Sequence, residues 1–322
     1  MPDPATTPPQ PPEDVPRVPR WRRALRGVYV AGVLVAFGVA VVARREELAA
    51  ELQSVAVWPL VLSSVAGLAG VGVSALVWRR MLTGLGSVLP LRPAMRVFFV
   101  AQLGKYLPGS VWPVLAQAEL GRDHGVPRRS AVAGQTLFMW IHLVTGAILG
   151  VPAVAAIGRG PAWTALAPLV RVPLLFPGPL SAVMDGLLRR LGREPLPARP
   201  RGRDMAVACA WAAVMWVCYG LHVHLAVVAL ATPDGVLGPV AVAVGVFAAA
   251  WSAGFLFLIA PAGAGAREVV LVAGLSLVVT SEVAFTVTLL SRLVLTLADG
   301  LWGGFGFVAG VGRRGATPDP TR

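Results

Sequence analysis

Two short stretches of an otherwise apolar chain carry groups that can hold a phosphate. In the first, Gln102 to Glu119 (QLGKYLPGSVWPVLAQAE), Lys105 precedes a break at Pro108-Gly109, and a second apolar run resumes behind Trp112 and Pro113. In the second, Pro261 to Glu268 (PAGAGARE), Gly263 and Gly265 free the backbone to turn, and Arg267 and Glu268 open the run that follows. A helix starting near Gly265 presents unpaired N–H groups and the positive end of its dipole to an anion. Arg267 adds a planar fork that suits phosphate oxygens.

The partners of these charges are open at this level. Lys105 is the only lysine in the chain; its ammonium either attracts a lipid phosphate or snorkels to the headgroups. Glu268 can satisfy helix-start donors, pair with Arg292, or neutralise Arg267 at an interface. Arg292, in TLLSRLVLTLADG, lies within the last apolar span. A charge at that depth is expensive and demands a partner, for which Glu268 and Asp299 are the candidates and outward snorkelling the alternative.

Composition sets the frame for these residues. Of 322 residues 56% are hydrophobic and only 14% charged, with a mean hydropathy of +0.71, which is far too apolar for a soluble globular protein. The formal charge of +12 does not point to nucleic acid, because no basic stripe carries interleaved aromatics for base stacking. Of the 28 basic residues, 21 fall on one side of the expected topology and only Arg44, Arg45 and Arg159 on the other, as the positive-inside rule requires.

The spans read as follows. Residues 1 to 16 hold seven prolines and no basic residue, a composition that stays disordered. Arg17 to Arg26 then precede a first span, Gly27 to Ala43. The next, about Val57 to Trp78, carries Ser63, Gly67, Gly70 and Ser74, whose spacing lets helices approach closely inside a bundle. Others are expected near 130–151, 161–180 (interrupted by prolines), 205–230, 236–259, 266–280 and 284–311, the fifth and sixth joined by the turn TPDG. Met184 to Leu191 is expected as a short interfacial amphipathic helix. The fold class is thus all-α, a polytopic transmembrane bundle of about eight spans with two Pro/Gly-interrupted, re-entrant or broken helices. Residues 1–20 form a cytoplasmic tail, 21–312 the membrane domain and 313–322 a second cytoplasmic tail.

No metal, cofactor or catalytic constellation is indicated. Cys209 and Cys218 lack CxxC spacing, His222 and His224 are two apart and cannot share a helical face, and no Walker motif is present. His142 reads as a packed or hydrogen-bonded histidine. The acids near the two breaks are scattered, Glu119 and Asp123 being the close pair there. The two breaks, with backbone at Pro108, Gly109, Pro261, Gly263 and Gly265, occupy corresponding places: each follows two full spans, and each leads into a helical run and another span. Such paired interruptions point to a binding site between the two halves of transporter-like proteins.

KYLPGSVW and PAGAGARE, with Arg292 in the last span, resemble the transmembrane region of lysylphosphatidylglycerol synthases, a grouping also called the flippase-like domain family. The resemblance covers about residues 20 to 312. Lys105, Tyr106, Leu107, Pro108, Gly109, Val111 and Trp112 match the first motif; Gln117 stands where an arginine is usual, with Arg122 as the available substitute. Gly263, Gly265, Arg267 and Glu268 match the second, while Ala262 replaces its first glycine, which implies a less open turn. The resemblance implies a multi-pass cell-membrane protein with both termini cytoplasmic that binds and translocates an anionic lipid or lipid-linked intermediate, with Lys105, Arg267, Glu268 and Arg292 at the headgroup. The chain ends about ten residues beyond its last span, so synthase activity is not expected and the protein is read as a non-enzyme. The alternatives are a membrane-embedded transferase using a polyprenyl-phosphate donor and a non-transporting anchor subunit. A homo-oligomer or a soluble cytoplasmic partner is compatible with the sequence.

Overall fold

The computed structural model describes residues 56–106, 111–157, 171–190, 192, 195, 198–231, 240–257 and 261–311. The first expected span, both tails, the TPDG turn, Pro108 and Gly109 lie outside the described residues, as do residues 161–170 of the span expected at 161–180. The described residues are predominantly helical, joined by short turns, and contain no strand. In order they form α1 (Val57–Gly84), α2 (Leu91–Gln102), a 3-10 turn (Leu103–Tyr106), α3 (Trp112–Arg122), α4 (Arg128–Ile157), a 3-10 turn (Val172–Leu175), α5 (Pro177–Arg190), α6 (Gly202–Leu230), α7 (Val240–Leu256), a 3-10 turn (Pro261–Gly263), α8 (Ala266–Leu275) and α9 (Ser281–Val311).

Among the described residues four helices are long and apolar enough to cross a membrane: Val57–Gly84, Arg128–Val151, Gly202–Leu230 and Ser281–Val308. Each is at least 24 residues, beyond the ~20 that span the hydrocarbon. α7 has 17 residues and α8 only 10, about 15 Å of helix and half the hydrocarbon thickness. The expected helical run to Thr280 therefore stops early: the Val278 and Val279 N–H groups turn back to the Leu275 carbonyl. The amphipathic segment expected from Met184 instead starts at Pro177, a position where the missing proline N–H is harmless. It buries Leu180, Ser181 and Asp185 and exposes Arg189 and Arg190.

Small residues decide which helices meet. α1 and α6 run antiparallel, from the Ala56 N–H on the Ala229 carbonyl at one end to the Arg80–Asp204 ion pair at the other. Between these, Ser63, Gly67, Gly70 and Ser74 are all buried; Gly67 faces His222 and Gly70 the ring of Tyr219. α7 lies antiparallel to α6 through Gly220 against Val244, and to α4 through Gly150 against Ala249 and Gly245 against Ala153. α9 lies parallel to α1, with Gly72 under the Trp302 indole, whose Nε1 donates to the Leu68 carbonyl at 2.9 Å. Lipid tails are as apolar as leucine, so close packing of this kind is what holds membrane helices together.

Aromatic rings fill the remaining core. Phe98 packs edge-on against Phe99 and Phe138. His142 sits between Phe138, Trp216 and Trp251 and bonds the Phe138 carbonyl through Nδ1, a packed histidine as its surroundings in the sequence suggest. A Cβ added at Gly220 would lie 2.1 Å from Val244 Cγ2 and 2.6 Å from its Cα. Because the obstacle includes backbone, Gly220→Val should destabilise the bundle by about 1–3 kcal/mol or more, read as a lowered thermal unfolding midpoint in detergent. An unchanged midpoint would mean that α6 and α7 are not packed at this crossing.

Candidate functional site

α9 is the element on which both interrupted stretches converge. Arg292 and Asp299 are seven residues apart, which places them on one face of α9 about 10 Å apart. They lie about 17 and 27 Å along a helix of roughly 46 Å, near its middle.

The first stretch approaches from the C-terminal end of α9. α2 runs antiparallel to it, Gly306 meeting Val100 and Arg96, and Gly303 meeting Leu103. The 3-10 turn then delivers Lys105 and Tyr106 to Asp299: Lys105 Nζ lies 2.7 Å from Oδ2, and the Tyr106 hydroxyl donates to the same oxygen at 2.6 Å. α3 returns at once, because a side chain at Gly104 would stand 3.0 Å from Trp112 Cβ and 3.2 Å from the Pro113 nitrogen. Lys105 thus holds an internal carboxylate. Asp299, weighed in the sequence only as a partner for Arg292, is instead its counter-ion, and Tyr106, matched in the motif but given no role, orients the pair. A lone acid in the last span, at the depth of the lone lysine, was the available signal.

The second stretch approaches from the opposite direction. α7 and α8 form an antiparallel pair, Val246 meeting Gly274 and Gly254 meeting Arg267. The turn between them packs backbone on backbone, since a Cβ at Gly263 would lie 2.7 Å from the Gly254 carbonyl. Ala262, Gly263 and Gly265 all have positive φ, at 50°, 68° and 90°. Ala262 therefore adopts the left-handed conformation that its side chain disfavours, and the turn keeps the shape expected of a glycine at that position.

Glu268 and Arg292 fasten this turn. One Glu268 oxygen accepts the Gly265 N–H at 2.6 Å; the other lies 3.3 Å from Arg292 Nε. Arg292 also donates through Nη1 to the Ala262 carbonyl at 3.3 Å. Of the uses open to Glu268, it takes two, the helix start and Arg292. Arg267 lies over the Phe247 ring at 4.7 Å, a cation–π contact, and no carboxylate pairs with it among the described residues. Arg267, Glu268, Leu271, Thr288, Ser291 and Arg292 line a cavity of about 10 Å³, the size of one water.

His222 joins the surrounding helices to this cavity wall. Its Nε2 bonds Ser291 Oγ at 3.0 Å, while Nδ1 lies 3.0 Å from the Ser63 carbonyl and Ser63 Oγ donates to the His222 carbonyl at 2.7 Å. α1, α6 and α9 are thereby tied by buried polar groups, which the two-residue spacing to His224 gave no reason to expect. Gln117 is fully buried and donates to Gln135 Oε1 at 2.8 Å. Arg122 does not take over the role of the usual arginine there, being paired at the surface with Glu119. Arg128, by its hydrogen bond, and Arg122 hold the Glu119 carboxyl below its ordinary value, the reverse of the raised pKa that acid–base work near neutral pH needs. No group of three or more metal-ligating side chains occurs among the described residues.

Long apolar helices packed by small residues, with paired charges at mid-length, define an integral α-helical membrane protein. Residues 29–303 match the family described as the lysylphosphatidylglycerol synthase TM region, and the chain belongs to that family. No curated protein matches it.

Ala262 yields a direct test of the second turn. A left-handed non-glycine residue costs about 1–2 kcal/mol, against roughly 0.5–1 kcal/mol for the greater unfolded-state freedom of glycine. Ala262→Gly should therefore stabilise the protein by about 0.5–1 kcal/mol, seen as a raised thermal midpoint in detergent; a lowered midpoint would contradict the left-handed turn.

Proposed function

We propose that this protein binds an anionic lipid, or lipid-linked intermediate, by its phosphate and carries the headgroup between the leaflets of the cell membrane while the acyl chains stay in the bilayer. The observation that carries this reading is the meeting of two helical hairpins, advancing from opposite ends of α9, at charges of which one, Arg267, is paired with no carboxylate among the described residues. A permanently charged guanidinium held in the middle of a bundle is expensive unless an anion joins it. A phosphate is the anion that Arg267, with Arg292 on the same cavity wall and Lys105 at the tip of the other hairpin, is suited to receive.

In this reading α2/α3 and α7/α8 are re-entrant hairpins from the cytoplasmic and external leaflets, set among the crossing helices α1, α4, α6 and α9; with the spans expected from the sequence at Gly27 to Ala43 and 161–180 the crossings number about six rather than eight, because α7 and α8 turn back instead of crossing. Irregular backbone at membrane depth is tolerated where it lines a polar cavity, and opposed broken segments at the midplane are how many transporters build a site. Residues 21–312 form the membrane domain, both termini are cytoplasmic, and the protein acts as a carrier rather than an enzyme, needing no cofactor. The cavity of about 10 Å³ is too small for a phosphate, so the hairpin tips must part to load the headgroup. Arg292 would then exchange Glu268, and Lys105 exchange Asp299, for phosphate oxygens.

Flipping of a fluorescent phosphatidylglycerol in proteoliposomes tests this. The Lys105, Arg267 and Arg292 triple alanine variant, still folded by its thermal transition, should lose protein-dependent flipping, and Arg267→Ala alone should lower it by about tenfold or more, the effect of losing one charged hydrogen-bond partner. Flipping at the wild-type rate in the triple variant would remove the site.

A further inference from the structure

The balance of charge at the hairpin tips bears on which anion is taken. Resting on the headgroup reading above, we infer that the site is matched to a headgroup of one negative charge, a phosphodiester monoanion, and that Asp299 is the residue that sets this selectivity.

Three cations, Lys105, Arg267 and Arg292, face two carboxylates, Asp299 and Glu268, each carboxylate being in an ion pair. One positive charge is left over among the described residues. The Lys105–Asp299 pair sits at the tip of the first hairpin, beside and not within the cavity that Arg267, Glu268 and Arg292 line, and the other groups in contact with these charges or the cavity wall carry no carboxylate: Tyr106 on Asp299, Phe247 under Arg267, Thr288 and Ser291 on the wall, and His222, hydrogen-bonded to Ser63 and Ser291. Arg96 lies against Gly306, two turns further along α9 than Asp299.

A loaded site without net charge is the least costly to hold at membrane depth. A phosphodiester monoanion brings the sum to zero. A zwitterionic headgroup leaves it at one positive charge, and a diphosphate drives it negative. Asp299 decides the sum because its carboxylate, only 8% exposed, cancels Lys105 outright and is held in place by the Tyr106 hydroxyl. Glu268 counts equally but is also bound into the start of α8 through the Gly265 N–H. Asp299 can be neutralised without disturbing a helix end.

The test uses the full chain in phosphatidylcholine nanodiscs, with three probes: phosphatidylglycerol, a polyprenyl diphosphate and the soluble diester glycerophosphoglycerol. Wild-type protein should prefer phosphatidylglycerol over the diphosphate by about tenfold or more. Asp299→Asn, with one more positive charge, should move that ratio about tenfold toward the diphosphate. The Lys105→Met/Asp299→Asn double variant, restored to one positive charge, should return to the wild-type preference, which separates charge from any damage to the fold. Weaker binding of glycerophosphoglycerol than of phosphatidylglycerol identifies the source as a lipid headgroup; equal binding identifies a soluble phosphodiester and retains the charge rule while overturning the lipid reading. An Asp299→Asn ratio equal to wild type, or a double variant that keeps the Asp299→Asn ratio, overturns the charge rule and leaves headgroup binding intact. Wild-type protein that binds none of the three probes overturns headgroup binding itself.

Discussion

Charge in the middle of a bundle has to be neutralised, and that constraint organises this molecule. α9 carries a cation and an anion on one face, at Arg292 and Asp299, and each recruits the tip of a different helical hairpin. Asp299 takes Lys105 and Tyr106 from the turn after α2; Arg292 takes Glu268 and the Ala262 carbonyl from the turn before α8. Removing Lys105 would leave the Asp299 carboxylate, only 8% exposed, uncompensated, at a cost of at most about 3–5 kcal/mol. The hairpin tips are therefore held by electrostatics, and the apolar packing determines how closely they can come.

That closeness depends on missing side chains. Gly254 and Gly263 let the second turn fold back on α7, Gly104 lets α3 return along α2, and Gly303 and Gly306 let α2 lie flat against α9. Around this centre the Ser63–Gly67–Gly70 stripe sets α1 against α6, and His222 extends the contact to Ser291 on the cavity wall. Scaffold and site are thus coupled through a single residue turn of α9, since Ser291 precedes Arg292.

Much of this is legible in the sequence because the signals are local. Hydropathy and the arginine bias mark the long helices, small-residue spacing marks α1 as interior, and the Pro/Gly interruptions mark the two turns. The matched motifs identify the family without help from the fold. Pairing is what stays hidden: Lys105 and Asp299 are 194 residues apart, and a list of charges at membrane depth does not say which carboxylate serves which cation. His222 and Tyr106 escape for the same reason, since hydrogen bonds between distant helices leave no periodic trace. The length of α8 is also misjudged, because an apolar run does not show where its backbone turns back, and Ala262 shows that tertiary contacts can impose a left-handed residue where a side chain resists it.

On the proposed function, Arg267 holds the phosphate of a bound lipid where no carboxylate among the described residues pairs with it. Native mass spectrometry of the protein purified from membranes in mild detergent addresses it most directly, because a bound headgroup appears as a discrete added mass. Wild-type protein should retain an anionic phospholipid or lipid-linked phosphate, and Arg267→Gln, equally folded, should lose it. Equal retention by both proteins, or release of only zwitterionic lipid from the wild type, would contradict this reading.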